Sequence, residues 1–160
     1  MEKIVKALDI SKIVVRSNVE HSLQGSFLVA LNGDPIHSMD LENVVLDQKS
    51  TQVLVESCEN LIELRLQCPS LNDLQLVEFN RCRRLESVTI RSGNITDSSL
   101  SAVLVRAKQL SFIELEGRGI DGSFLSKMEG DLSWLRLDNC DITDEGMKGL
   151  RHVPRVEILS

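Results

Sequence analysis

The sequence predicts an α/β fold made of consecutive similar units, each a short strand, a turn and a short helix. The first observation is an apolar triplet whose second and third members follow the first by three and five residues. Successive copies start 24, 25, 22 and 21 residues apart, which is a period typical of repeat proteins. The copies are Leu61/Leu64/Leu66, Leu85/Val88/Ile90, Leu110/Ile113/Leu115, Leu132/Leu135/Leu137 and Val153/Val156/Ile158.

The second observation is that the register continues beyond the triplet. Apolar residues recur ten, fifteen and eighteen positions after each of the first four starts. The triplet alternates like a strand with one buried face, and positions fifteen and eighteen share one face of a helix. Position ten would turn the chain between them. The recurring residues are Leu71, Leu76 and Phe79; Ile95, Leu100 and Val103; Ile120, Leu125 and Met128; and Ile142, Met147 and Leu150.

Acidic residues follow three of the turning positions. Asp97, Asp121 and Asp144 stand where a helix start favours a short side chain that accepts hydrogen bonds from its unpaired N–H groups. The register also assigns Leu71 to Leu76, which resembles a further strand triplet, to the returning helical segment. It starts only ten residues after Leu61, too close for a complete unit.

The length of 160 residues favours one domain with an irregular beginning. We predict an N-terminal cap over 1–40, within which Ile10/Ile13/Val15 and Ser26 to Leu31 could form strands. The first unit is expected at Leu41/Val44/Leu46, and the last is partial. The predicted units are 41–60, 61–84, 85–109, 110–131, 132–152 and 153–160.

The stretch from Leu132 to Met147 resembles the cysteine-containing leucine-rich repeat of ubiquitin-ligase substrate-recognition subunits and ribonuclease-inhibitor-like proteins. In such repeats a Cys or Asn eight residues after the start bonds the backbone at the turn. Cys140 matches, whereas Pro69, Gly93 and Arg118 occupy the equivalent places. The resemblance covers about 41–160. It implies a leucine-rich-repeat solenoid, a horseshoe with a curved parallel sheet and short convex-side helices, and it implies protein binding without catalytic residues.

Composition and charge exclude several functional classes. The net charge of −6 argues against binding to nucleic acid or an anionic membrane. The N-terminus lacks the apolar stretch of a secretion signal, and no window approaches the roughly 20 apolar residues of a membrane span. We therefore expect a cytoplasmic protein.

Four cysteines are far apart and form no Cys-x-x-Cys pair. This pattern is unlike a disulfide framework or a zinc site, so we expect neither metal nor cofactor. The thiols are expected to be reduced, with Cys140 buried at a turn and Cys58 on a short helix.

One motif offers an alternative function. Gly117-Arg-Gly119-Ile-Asp-Gly122 matches the G-x-G-x-x-G fingerprint of dinucleotide-binding enzymes, and Asp138 follows Gly117 by 21 residues. A small nucleotide-binding enzyme is therefore the alternative. Against it, Ile120 holds the turning position of the repeat, and a nucleotide fold leaves the other copies unexplained. We predict a scaffold for protein interactions, an adaptor or substrate-recognition module, and no enzyme.

The candidate binding site is the concave face of the predicted sheet. Phe112 and Trp134 occupy the same position in adjacent units and should lie side by side and exposed. Neighbouring exposed aromatics with charged flanks are typical of an interface hot spot. The expected charged neighbours are Glu114, Glu116, Arg136, Asp138 and Arg155. The last triplet begins a unit and stops at its strand, so an edge-to-edge homodimer or a longer array is also expected.

Overall fold

Within the residues that the structure describes, seven parallel strands form one sheet, and their spatial order is their order along the chain. The computed structural model describes residues 11–22, 36–56, 58–129 and 131–159. The predicted α/β class is confirmed over these residues. The strands are β1 (Lys12–Ser22), β2 (Ser38–Val45), β3 (Glu63–Gln67), β4 (Ser87–Arg91), β5 (Phe112–Glu116), β6 (Trp134–Asp138) and β7 (Val156–Leu159).

A helical segment follows each of the strands β2 to β6. Four of these segments contain α-helices and one is a 3-10 helix, Ser123–Lys127. Further 3-10 turns extend two of the α-helices, at Phe79–Arg81 and Gly149–His152. The α-helices are α1 (Gln48–Glu56), α2 (Asp73–Glu78), α3 (Asp97–Leu104) and α4 (Asp144–Lys148). The assignment of Leu71 to Leu76 to a helical segment is therefore confirmed for the residues from Asp73 onward.

The apolar triplets set the strand register as predicted. Leu64 lies opposite Val88, and Leu66 lies opposite Ile90; the same pairing continues through β5 and β6. These inward residues are fully buried, whereas the residues between them are half-buried on the other face in β3. One face of the sheet therefore packs against the helical segments.

The helical side closes the core at the predicted positions in most units. Leu76, Phe79, Leu100 and Val103 are all buried in the same apolar cluster as the strand residues. Met147 differs, because 47% of it is exposed. No further helical segment packs on the outer side of α4 within the described part of the chain, so nothing covers Met147 there.

The first unit has a different register from the one predicted. Met39 and Leu41 lie opposite Leu64 and Leu66, so the triplet is Ile36/Met39/Leu41 and not Leu41/Val44/Leu46. The backbone of Asn43 is left-handed, with a φ of 54°, and this interrupts the alternation of the strand. Leu46 is then the turning residue. The predicted boundary between residues 40 and 41 therefore lies inside β2.

β1 extends the sheet into the predicted N-terminal cap. Ile13 and Val15 lie opposite Met39 and Leu41, which confirms a strand at this position. The strand expected from Ser26 to Leu31 falls outside the described residues. The cap predicted over 1–40 thus includes one strand of the common sheet.

At two helix starts, an acidic side chain bonds to the following unit rather than to its own helix. The carboxylate of Asp97 accepts hydrogen bonds from the main-chain N–H groups of Asp121 (2.6 Å) and Phe124 (3.0 Å). Asp73 likewise accepts from the N–H of Thr96 (2.8 Å) and the hydroxyl of Ser99 (2.6 Å). The expectation that the carboxylate satisfies its own helix start was therefore wrong at Asp97. It is confirmed at Asp121, whose carboxylate accepts a hydrogen bond from the N–H of Ser123 (2.8 Å) at the start of its own 3-10 helix. The carboxylates of Asp73 and Asp97 join adjacent units.

The bonds to Asp73 also affect its titration. Its partial burial acts to raise the pKa, but the hydrogen bonds from Ser99 and Thr96 outweigh this effect and lower the pKa. Because the folded pKa is lowered, this carboxylate contributes stability above the usual pKa of Asp. That contribution is lost as the pH falls through the lowered value.

Removing the carboxylate of Asp97 should destabilise the protein measurably. In Asp97→Ala, two buried or half-buried N–H groups of the next unit lose their acceptor, at a cost of about 1–3 kcal/mol. Urea unfolding followed by circular dichroism measures the change. Asp141→Ala removes an exposed carboxylate and serves as the control, with an expected change within about 0.5 kcal/mol. Equal unfolding free energies for the two variants would contradict the bridging role.

Candidate functional site

The sheet has a second face that the helical segments do not cover, which we call the open face. Its residues alternate with the buried triplet residues along each strand. Phe112, Glu114 and Glu116 of β5 lie directly opposite Trp134, Arg136 and Asp138 of β6. The six candidate residues on these two strands are therefore brought together. Arg155 lies just before β7, and its carbonyl accepts a hydrogen bond from the N–H of Leu135.

Phe112 and Trp134 form the apolar centre of the open face. Their ring centroids are 4.1 Å apart and their planes meet at 29°, which is a stacked arrangement. The guanidinium carbon of Arg155 lies 6.0 Å from the centre of the Trp134 ring, within cation–π range. The side-by-side placement of the rings is thus confirmed.

The exposure of the two rings differs from the prediction. Both residues are half-buried, because the rings cover each other and Arg155 lies over the indole. The indole Nε1 is shielded from solvent and has no hydrogen-bond partner among the described residues. Buried indole N–H groups usually find an acceptor, so this donor is an unusual feature of the face.

Ion pairs hold the charged side chains around the aromatic pair. Arg136 pairs with Asp138 on its own strand (3.0 Å), and Arg155 pairs with Glu157 (2.9 Å). The hydrogen bond from Arg136 to Asp138 raises the pKa of the arginine. Because Arg136 pairs with Asp138 on its own strand, Glu114, which lies opposite Arg136, pairs with a different arginine.

Arg91 is that arginine, and it was not among the candidate residues. Its guanidinium lies 2.6 Å from Glu114 and 3.7 Å from Glu116, both on the neighbouring strand. The hydrogen bond to Glu114 is the main cause of the raised pKa of Arg91. The position of Arg91 on the outward side of β4 was the only signal in the sequence.

Each glycine of the G-x-G-x-x-G run has a structural explanation. A Cβ on Gly117 would lie 2.3 Å from the carbonyl oxygen of Ser92, and one on Gly119 would lie 2.4 Å from that of Ile95. Gly122 has a φ of 87°, a region that favours glycine. The helix that follows is a five-residue 3-10 segment. Close packing between units and one turn therefore account for the run.

The cysteines are free thiols. Cys140 is half-buried, and its Sγ lies 3.8 Å from the carbonyl oxygen of Leu115 in the preceding unit. Cys68 makes the equivalent contact with Leu41 (3.6 Å), so Cys68 and not Pro69 corresponds to Cys140. The one-residue offset arises because Asn139 has a left-handed backbone, with a φ of 50°.

Cys58 follows α1 instead of lying within it, since the helix ends at Glu56. Its N–H donates to the carbonyl of Val55 at 3.1 Å, and its side chain is fully buried. Burial raises the pKa of Cys58, and it raises those of Cys82 and Cys140 to about 12 and about 11.

These pKa values predict slow thiol chemistry in the folded protein. At pH 8 the reactive thiolate is a small minority at Cys82 and Cys140, and burial also blocks the reagent at Cys58 and Cys82. An aromatic disulfide reagent should therefore react slowly with Cys140 and reach all four cysteines only after denaturation. Cys140→Ser should remove the slow native phase. Rapid native reaction of Cys58 or Cys82 would contradict their placement.

Neither a metal-binding cluster nor a membrane-spanning helix is found among the described residues. No group of three or more His, Cys, Asp or Glu side chains over 11–22, 36–56, 58–129 and 131–159 could hold a metal ion. Within the same part of the chain, no helix has the length and apolar character needed to cross a membrane.

No protein-family model matches the chain, and no curated protein sequence is significantly similar to it. The geometry of the open face is therefore the basis for assigning a function.

Proposed function

We propose that this chain is a leucine-rich-repeat solenoid that acts as a cytoplasmic, non-enzymatic scaffold for protein interactions. In this proposal the open face is the concave face of the solenoid, and a protein partner docks on it around Phe112 and Trp134. The stacked aromatic pair carries the proposal, since it is an apolar centre on a sheet face whose other outward residues in β2 to β6 are polar. An adaptor or substrate-recognition module is the role that fits such a scaffold.

The surroundings of the pair support this role. Binding hot spots combine large, rigid side chains with a rim that excludes water, and Trp and Arg are enriched in them. Here the Arg136–Asp138 and Arg155–Glu157 pairs flank the rings. Neighbouring contacts already restrict these side chains, so they lose less conformational entropy when a partner binds.

A pull-down with a matched pair of variants tests the proposal. Phe112→Ala/Trp134→Ala removes the apolar centre, and a hot spot of this kind should lose at least about 2 kcal/mol of binding energy, roughly thirtyfold in affinity. Leu74→Ala/Val77→Ala removes exposed apolar side chains from α2, outside the open face. Proteins recovered by the wild type from native lysate are identified by mass spectrometry.

We expect a set of proteins that the Leu74→Ala/Val77→Ala variant retains and the aromatic variant loses. Circular dichroism establishes that both variants are folded. If the folded aromatic variant retains every protein that the wild type recovers, the open face around these rings is not the binding site.

A further inference from the structure

A groove with polar and charged side chains in its wall follows the edge of the sheet at the carboxyl ends of the strands. Its volume is about 600 Å³, and its lining comes from the ends of five adjacent strands, β2 to β6, and the residues just after them. The wall includes Glu42, Gln67, Arg91, Gly93, Arg118 and Asn139. Glu42, Gln67 and Arg91 belong to the open face, but the groove does not include the aromatic pair.

The length of the groove fits an extended chain. Neighbouring strands lie about 4.8 Å apart, so five strands span roughly 19 Å. An extended peptide advances about 3.3 Å per residue, so about six residues match this length. Side-chain amides are spaced along the wall at Asn43, Gln67 and Asn139. Such amides can both donate to and accept from a peptide main chain.

Gly93 lines this groove, and the fold does not require a glycine at this position. A Cβ built on Gly93 meets no atom within 4 Å, and its φ does not lie in the left-handed region. By contrast, Gly117 and Gly146 lie against backbone atoms of neighbouring units, at 2.3 Å and 2.1 Å from a built Cβ. Packing and conformation therefore do not explain a glycine at 93, whereas an occupant of the groove would.

Among the described residues, the charges of the wall leave one cation without an ion pair. Glu42 lies 3.7 Å from Arg16, and Arg91 is held by Glu114 and Glu116. Arg118 is exposed and forms no ion pair with another residue in the described part of the chain. An acidic group is the chemical complement of an arginine in this state.

We propose that the groove binds an extended segment of the protein partner, with an acidic side chain of that segment at Arg118 and its main chain passing over Gly93. The amide side chains of the wall hydrogen-bond the peptide main chain. This inference depends on the proposed function, because it identifies the part of the partner that one edge of the scaffold would recognise.

Selection from a phage-displayed library of random peptides, about seven residues long, tests the groove. The wild-type chain is the target, and Gly93→Leu is the counter-target, because Gly93 lines the groove and a Cβ at this position meets no atom within 4 Å. Enriched peptides are synthesised with a fluorophore and measured by anisotropy against Gly93→Leu, Arg118→Glu and Phe112→Ala/Trp134→Ala. Arg106→Glu, at an exposed arginine after α3, is the charge-reversal control.

We expect peptides with an acidic residue to be enriched. Arg118→Glu should weaken them at least about tenfold, and Gly93→Leu should abolish measurable binding, while Arg106→Glu leaves affinity unchanged. Unchanged thermal unfolding of Gly93→Leu excludes a folding defect.

Three results would overturn the groove assignment. One is no enrichment over the counter-target. The second is binding that depends on Phe112 and Trp134 but not on Gly93 and Arg118, which rejects the groove and leaves the proposed function standing. The third is binding of inorganic phosphate or ATP that is lost in Arg118→Glu, together with no peptide binding.

Discussion

Replacing Phe79 by alanine is expected to lower the free energy of unfolding by about 3–5 kcal/mol, the largest effect that we predict for a single side chain. Phe79 is fully buried where α2 passes into its 3-10 turn, and it is among the largest buried side chains of the described residues. Its ring belongs to the core between the sheet and the helical segments. Alanine would leave a cavity there, because a packed core relaxes only in part.

Urea unfolding of Phe79→Ala and Leu74→Ala separates core packing from helix composition. Leu74 lies on α2 and is 73% exposed, so its truncation should change the unfolding free energy by no more than about 0.5 kcal/mol. A loss of less than about 1 kcal/mol for Phe79→Ala would mean that this ring does not fill the core.

Replacing Gly117 by alanine should be the second large effect. The new Cβ would lie 2.3 Å from the carbonyl oxygen of Ser92. Neither atom can move away by a side-chain rotation, because the Cβ and the carbonyl are both fixed by the backbone. The two neighbouring units must therefore separate locally. Overpacking of this kind costs about 1–3 kcal/mol. The reverse is expected for Gly93→Ala, whose Cβ enters open space. That variant should be neutral or gain up to about 1 kcal/mol, because the unfolded chain loses freedom.

Differential scanning calorimetry of the two alanine variants compares the same chemical change at two sites. The melting temperature of Gly117→Ala should fall by several degrees, and that of Gly93→Ala should stay level or rise. Equal melting temperatures would show that close approach between units does not explain the glycine run.

The strand positions could be predicted because burial imposes a period on the sequence. Leu64, Val88, Ile113 and Leu135 occupy one row of the sheet, and any polar residue there would lie in the core. Asn43 shows the limit of this reasoning. Its left-handed backbone changes which residues face inward, and no apolar pattern encodes that change.

Contacts between units could not be predicted as well from the sequence as the strand positions. The sequence predicts that Asp97 accepts hydrogen bonds at the start of its own helix. Its carboxylate instead accepts them from N–H groups 24 and 27 residues further along the chain. Such bonds depend on how two units stack. For the candidate site, row positions predicted that Phe112 and Trp134 would meet. Row positions could not predict that Arg136 would pair with Asp138 and that Glu114 would pair with Arg91. Side-chain rotamers determine which of several nearby charged residues form an ion pair.

Trp134 is a direct probe of docking on the open face, because it is the single tryptophan of the chain and lies at the centre of the proposed interface. Its fluorescence is recorded while the chain is titrated with a partner recovered by the wild type, the tryptophan residues of that partner having been replaced by phenylalanine. A partner docked on the open face should shift the emission to shorter wavelength and reduce quenching by iodide. If emission and quenching stay unchanged at saturation, the partner does not cover this face, and the open face is not the docking site.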